Sequence, residues 1–189
     1  METRMAEKGS GKIFINYRRG DGPCCATALY MRLEDEFGCE RLFMDVDHIK
    51  PGYDFEEVLR SEVGQCDVLL AVVGPRWAEL LASRAGDPED FVVVEIKAAL
   101  DLGKRVIPVL IGDTQFPPAD ILPESIRAFG RKNAVSLRLE RFKDDYQGLS
   151  RALKESLQAA EMERSAKPRP DSPPLAQAGF RLQGFRNRS

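Results

Sequence analysis

Glu95 is the residue in this chain whose type and neighbours most clearly allow chemistry. It follows Val93 and Val94 and precedes Ile96, and its helix-spaced neighbours are Phe91, Ala98 and Ala99. A carboxylate held against apolar walls projects a stronger field than it would in water, and it can stabilise positive charge that develops on a bound molecule. The alternative for Glu95 is a solvated position on a helix surface. Arg18 and Arg19 directly follow a short apolar run, with Tyr17 just before them. Two arginines can hold a pyrophosphate and a tyrosine ring can stack on a base or a sugar-linked ring. The same pair can instead be structural, bound to Asp21 or Asp45. Asp45 is also a ligand-binding candidate at a strand end. Together with Asp47 it opens a loop that turns at Pro51-Gly52, and the plain alternative is an exposed polar turn. Gly74 permits close approach of a ligand. Trp77 is either a stacking platform or a packing residue, and His48 reads as a surface loop residue.

These residues need a scaffold, and the chain alternates strand and helix signals. Residues 12–16 (KIFIN) read as a first strand, followed by a polar turn over 17–23. Residues 24–37 show helical spacing, with Ala28, Leu29, Leu33 and Phe37 on one face and Gly38 at the end. Strand 42–44, loop 45–54 (DVDHIKPGYD) and helix 55–63 follow. Residues 67–73 (DVLLAVV) scarcely alternate, as befits a strand buried on both faces of a parallel sheet. The run Asp87-Pro88-Glu89-Asp90 signals a helix start, with Asp87 as cap and Pro88 in the first turn. Caps and the alanine-rich second half favour helix over 88–102, ending at Gly103, despite the β-branched residues Val92–Val94. Residues 105–111 read as a fourth strand, oddly containing Pro108. A proline-rich stretch that is irregular or holds a short helix leads to strand 133–137, and a helix over 145–160 closes the pattern. Such an order predicts a parallel sheet with helices on both faces. The expected organisation is a disordered leader over 1–11, a domain over 12–162 and a Pro/Arg-rich disordered tail or linker over 163–189.

Composition excludes several classes. The chain has 189 residues and a formal net charge of −2, which disfavours a nucleic-acid partner. No apolar run reaches membrane-span length and the first residues lack a signal-peptide core, so no membrane partner and a cytoplasmic location are expected. Cys24, Cys25, Cys39 and Cys66 form no CxxC pair, and with His48 the sole histidine no metal site is expected. No GxGxxG follows the first strand, which disfavours a Rossmann dehydrogenase. A phospho-acceptor receiver needs acids after that strand, where this chain has Tyr17-Arg18-Arg19.

Residues 12–21 (KIFINYRRGD) resemble the first strand and loop of TIR (Toll/interleukin-1 receptor) domains, and residues 43–55 (FMDVDHIKPGYDF) resemble the second strand and BB loop of that family. Residues 66–77 (CDVLLAVVGPRW), 87–100 and 105–111 resemble the elements that follow, so the likeness spans about 12–160 and looks closest to bacterial members. The resemblance implies a flavodoxin-like α/β three-layer sandwich with a five-stranded parallel sheet. It also implies either of two functions. One is cleavage of NAD+ at the nicotinamide–ribose bond, with NAD+ as substrate and no resident cofactor. The other is non-catalytic signalling by homotypic TIR–TIR assembly through residues 45–54. In the enzymes the catalytic glutamate lies four residues after an aromatic. That pattern falls here on Glu95, with Phe91 where tryptophan is usual. Tyr17, Arg18, Arg19, Asp45, Gly74, Trp77 and Phe91 are then the candidates for binding NAD+.

Overall fold

The computed structural model describes residues 11–44 and 55–166. Five parallel strands form one sheet in the order β2-β1-β3-β4-β5. They are β1 (Ile13–Asn16), β2 (Leu42–Met44), β3 (Val68–Val73), β4 (Arg105–Ile111) and β5 (Val135–Leu137). Every residue of β3 is buried, because β3 lies mid-sheet with helices on both faces. Its alternate side chains feed two cores. Leu69, Ala71 and Val73 pack with Phe14 and Ile96 on one face, whereas Val68, Leu70 and Val72 pack with Ile13, Ile15 and Leu29 on the other. The flavodoxin-like α/β fold expected from the sequence is the fold observed.

The first core is covered by α2 (Phe55–Gln65), α3 (Trp77–Ser83), α4 (Phe91–Asp101) and a 3₁₀ segment over Glu124–Arg131. The second is covered by α1 (Pro23–Phe37) and α5 (Phe142–Ala166). On α1 the buried positions are Ala26, Leu29, Leu33 and Phe37, and Ala28 is exposed, so the apolar stripe starts from Ala26 instead of Ala28. Pro108 pairs with Ala71 on one side, while β5 begins only opposite Val109. It therefore occupies a stretch of β4 whose outer edge is still open, which is where a sheet tolerates proline.

Several boundaries differ from the sequence reading. The helix expected over 88–102 begins at Phe91 with Asp90 as its cap, because the Asp90 side chain accepts from Val93 N. Asp87 instead accepts from Glu89 N at 2.9 Å within the preceding turn. Both acids suit a cap locally, and Asp90 is the one with a buried partner. α3 is not among the expected helices; at seven residues it is too short to show a helical period, and it is buried only through Trp77 and Leu81. α5 runs on to Ala166, beyond the expected domain end at 162, and its last turn is tied to the sheet by Arg105–Glu163 and Arg164–Asp67 ion pairs. The leader up to residue 10, the tail from residue 167 and the loop 45–54, with Asp45, Asp47 and His48, lie outside the described residues.

The start of α5 is fixed to the end of β5 by Asp145, which accepts from Arg138 N, Nε and Nη2 at 3.0, 2.9 and 2.8 Å. These donors hold the Asp145 carboxyl down at about 2, below its ordinary 3.8. A depressed folded-state value means that this stabilisation is full above the unfolded value and is lost as pH falls through about 2. Urea unfolding should show Asp145→Asn less stable than wild type at neutral pH, with the gap closing as the pH drops from about 4 towards 2. A gap independent of pH would exclude this account.

Candidate functional site

In a sheet of order 2-1-3-4-5 the chain reverses direction between β1 and β3, and a crevice opens there beyond the carboxyl ends of the strands. β1 carries Phe14 and Asn16 towards α4, whereas Ile13 and Ile15 face α1 and α5. Asn16 is 1% exposed. Its Nδ2 donates to Glu95 Oε2 at 2.6 Å and to Val92 O at 3.2 Å. Glu95 is 8% exposed. The expected carboxylate is thus buried at the end of β1 and bonded to it, and it is not a solvated helix residue.

Arg18 takes a different role from the one read in the sequence. Its Nη2 donates to Asp90 Oδ2 at 2.7 Å, and both side chains are nearly fully buried. The ligand-binding assignment and the expected partner Asp21 give way to Asp90, because the cap of α4 lies directly beneath the β1 exit; Asp45 lies outside the described residues. Trp77 is corrected as well: it is 0% exposed, so it offers no face to a ligand. Its ring lies under the Arg18 guanidinium at 5.2 Å and beside Phe129 at 6.0 Å. Gly74 serves the packing of the β1 loop. A Cβ there would meet Asp21 Oδ1 at 2.7 Å and the Asp21 carbonyl oxygen at 2.8 Å. That close approach lets Asp21 accept from Gly74 N at 2.8 Å and Arg76 N at 2.7 Å, lacing the β1 loop to the β3 exit. Burial pushes the Asp21 carboxyl up, and the two backbone donors and the Arg18 charge partly oppose that rise.

The remaining candidates divide by face. Tyr17 packs against the core shared by α1 and α5, on the side of the sheet away from Glu95. Arg19 is exposed at the β1 exit. Phe91 opens α4 one turn before Glu95 and is 43% exposed, an aromatic available at the rim. The structure therefore brings together Glu95, Asn16, Arg18, Asp90 and Trp77. Asn16 and Asp90 were not candidates from sequence. Their signals were a polar residue ending an apolar strand and a second acid just before a helix. A groove of about 790 Å³ lies between α1 and α5 and is lined by Arg32, Glu36, Tyr146 and Lys154, away from Glu95. Among the described residues no helix is long and apolar enough to cross a membrane, and no group of three metal-ligating side chains assembles.

The family model described as TIR domain matches residues 13–153. The chain belongs to the TIR-domain family. Over 124 residues this TIR domain is 27% identical to NAD(+) hydrolase sarm1 of Drosophila melanogaster, matching 66% of this chain and 9% of that protein. It is 29% identical over 124 residues to NAD(+) hydrolase tir-1 of Caenorhabditis elegans, matching 65% of this chain and 12% of that protein. The matched part is thus a small fraction of either relative. Among solved structures, the TIR domains of the activated Roq1 resistosome bound to the effector XopQ superpose with a TM-score of 0.52 at 15% identity, covering 77% of this chain and 99% of that one. A prokaryotic SEFIR domain gives 0.51 at 17% identity, covering 75% and 91%. Those two likenesses speak to the fold.

Two stability outcomes follow from the TIR-domain site. Asp90→Ala leaves Arg18 charged and buried without its partner, and should cost about 3–5 kcal/mol in urea unfolding. Arg18→Met with Asp90→Ser removes both charges, keeps a capping oxygen and should recover most of that loss. A cost below about 1 kcal/mol for Asp90→Ala would show that the pair does not anchor α4. Gly74→Ala should lower stability by about 1–3 kcal/mol, since the Asp21 carboxylate must move, and an unchanged melting temperature would contradict the close packing.

Proposed function

We propose that this TIR domain is an NAD+ nucleosidase that cleaves the nicotinamide–ribose bond and uses Glu95 to stabilise the reacting sugar. The observation that carries the reading is the placement of Glu95: a carboxylate 8% exposed at the ligand edge of the sheet, fixed at 2.6 Å by Asn16. The two curated relatives named NAD(+) hydrolases support it. The likeness to bacterial TIR domains and a cytoplasmic setting belong to the same reading.

The chemistry asks little of the protein. Nicotinamide in NAD+ is already a cationic pyridinium. Its bond to C1′ breaks with the electron pair passing to the ring nitrogen, so it leaves neutral and needs no general acid, unlike an ordinary glycoside. Positive charge then grows on the ribose as an oxocarbenium-like centre. Glu95, ionised and shielded from water, stabilises that charge and orients the ribose hydroxyls. Water adds at C1′ and releases a proton to give ADP-ribose, or the adenine ring attacks to give a cyclic isomer. No metal and no resident cofactor enters. Arg19, exposed at the β1 exit, is a candidate for the diphosphate, and Phe91 places a ring at the rim. Asp45 stays a candidate for binding the same substrate. Self-association through that loop would complete the site.

A second reading is a signalling module without catalysis. It draws on the exposure of Phe91 and on the resistosome neighbour, which is an assembly of TIR domains. NAD+ incubated with the protein at high concentration separates the two. Nicotinamide release should fall by about 100-fold or more in Glu95→Ala, in line with the loss of a transition-state stabiliser. Equal release by both proteins removes Glu95 from the reaction. Concentration-dependent light scattering without any NAD+ loss would favour the signalling module.

A further inference from the structure

Asn16 stands where the strand pattern calls for another apolar residue. Phe14, two positions earlier on the same side of β1, is 1% exposed in the core under α4. An amide buried there is costly unless it is hydrogen-bonded. Both of its donated bonds go to α4, at Val92 O and Glu95 Oε2. Its carbonyl Oδ1 is buried and has no partner among the described residues. A residue selected for stability alone would not leave an acceptor stranded. Turning the amide over would place Oδ1 against the carboxylate, oxygen facing oxygen, so the amide presents its donor side to Glu95.

We propose that Asn16 is the positioning residue for Glu95, holding its carboxylate in one rotamer and in the charged state that the developing ribose cation requires. The inference rests on the reading of Glu95 given above. The anchor is rigid on both sides: Asn16 ends a strand paired with β3, and Val92, its second acceptor, lies on the same helix as Glu95. A carboxylate that must not wander by even an ångström is served by such a bond, and a donor to the ionised form favours that form. Arg18 and Asp90 are paired with each other, and Asp21 is turned to the Gly74 and Arg76 backbone. α2, packed beside α4, contributes Arg60 and Glu62 among its described side chains.

Two variants test this. Asn16→Leu keeps the branched outline and removes the donor. Asn16→Asp keeps the shape and sets a second carboxylate against Glu95. Circular dichroism first establishes that each is folded. Nicotinamide release should then fall at least tenfold in kcat for both variants, with KM within about twofold, and Asp should be the weaker at neutral pH. A purely packing role would leave kcat of Asn16→Leu within about twofold of wild type, and that result overturns the inference while Glu95-dependent release by wild type keeps the enzymatic reading intact. An activity-independent measurement is the carbon-13 titration of the Glu95 carboxyl. Its midpoint should rise by about one pH unit in Asn16→Leu and further in Asn16→Asp. If wild type releases no nicotinamide, the enzymatic reading fails, and the titration still decides whether Asn16 holds the charge on Glu95: an unchanged midpoint refutes that hold and a raised one upholds it.

Discussion

Helix α4 reaches the sheet through two polar contacts at its first turns, and the site exists because both are made. Arg18 from the β1 exit grips the Asp90 cap at 2.7 Å, and Asn16 at the end of β1 reaches Glu95 at 2.6 Å. The apolar packing of Ile96, Ala98 and Ala99 fixes how close the helix lies to the sheet, but packing of smooth side chains is forgiving about rotation and sliding. Directional bonds are not. A charged pair and an amide–carboxylate bond at successive turns set the rotation of α4 and the depth of its start, and with them the direction of Glu95.

The contacts sit where the fold leaves a crevice. With β2 on one side of β1 and β3 on the other, the loops leaving β1 and β3 diverge, and a ligand can enter between them. Asp21 ties these loops together through Gly74 and Arg76, so the floor of the crevice is laced by backbone bonds. Trp77 supports the arrangement from beneath, with its face against the Arg18 guanidinium. Arg18 and Trp77, which look like ligand contacts in a string of letters, pack beneath the carboxylate, and among the described candidates Arg19 and Phe91 face outward at the rim.

Strand alternation explains why Tyr17 parts from its neighbours. Successive side chains at a strand end point to opposite faces, so Asn16 and Arg18 turn to α4 while Tyr17 joins the core of α1 and α5. In sequence the three residues are one cluster. In space they serve two cores, and a reading based on adjacency alone merges them.

The amino-acid sequence by itself determined the strand–helix alternation and the parallel sheet, and it singled out Glu95 as the candidate carboxylate, because these rest on local periodicity, turn residues and a resemblance spread over several motifs. The extent of β4 was legible in the same way, residue for residue. Only the tertiary structure decided which acid caps α4, which partner Arg18 takes, that Trp77 is covered and that Asn16 holds Glu95. The contacts of Arg18 with Asp90 and Trp77 and of Asn16 with Glu95 join residues more than fifty positions apart, chosen among chemically equivalent neighbours by distance and burial. Asp87 and Asp90 are the same residue type three positions apart; Asp90 lies against Arg18 once β1 and α4 are packed, and no local rule records that.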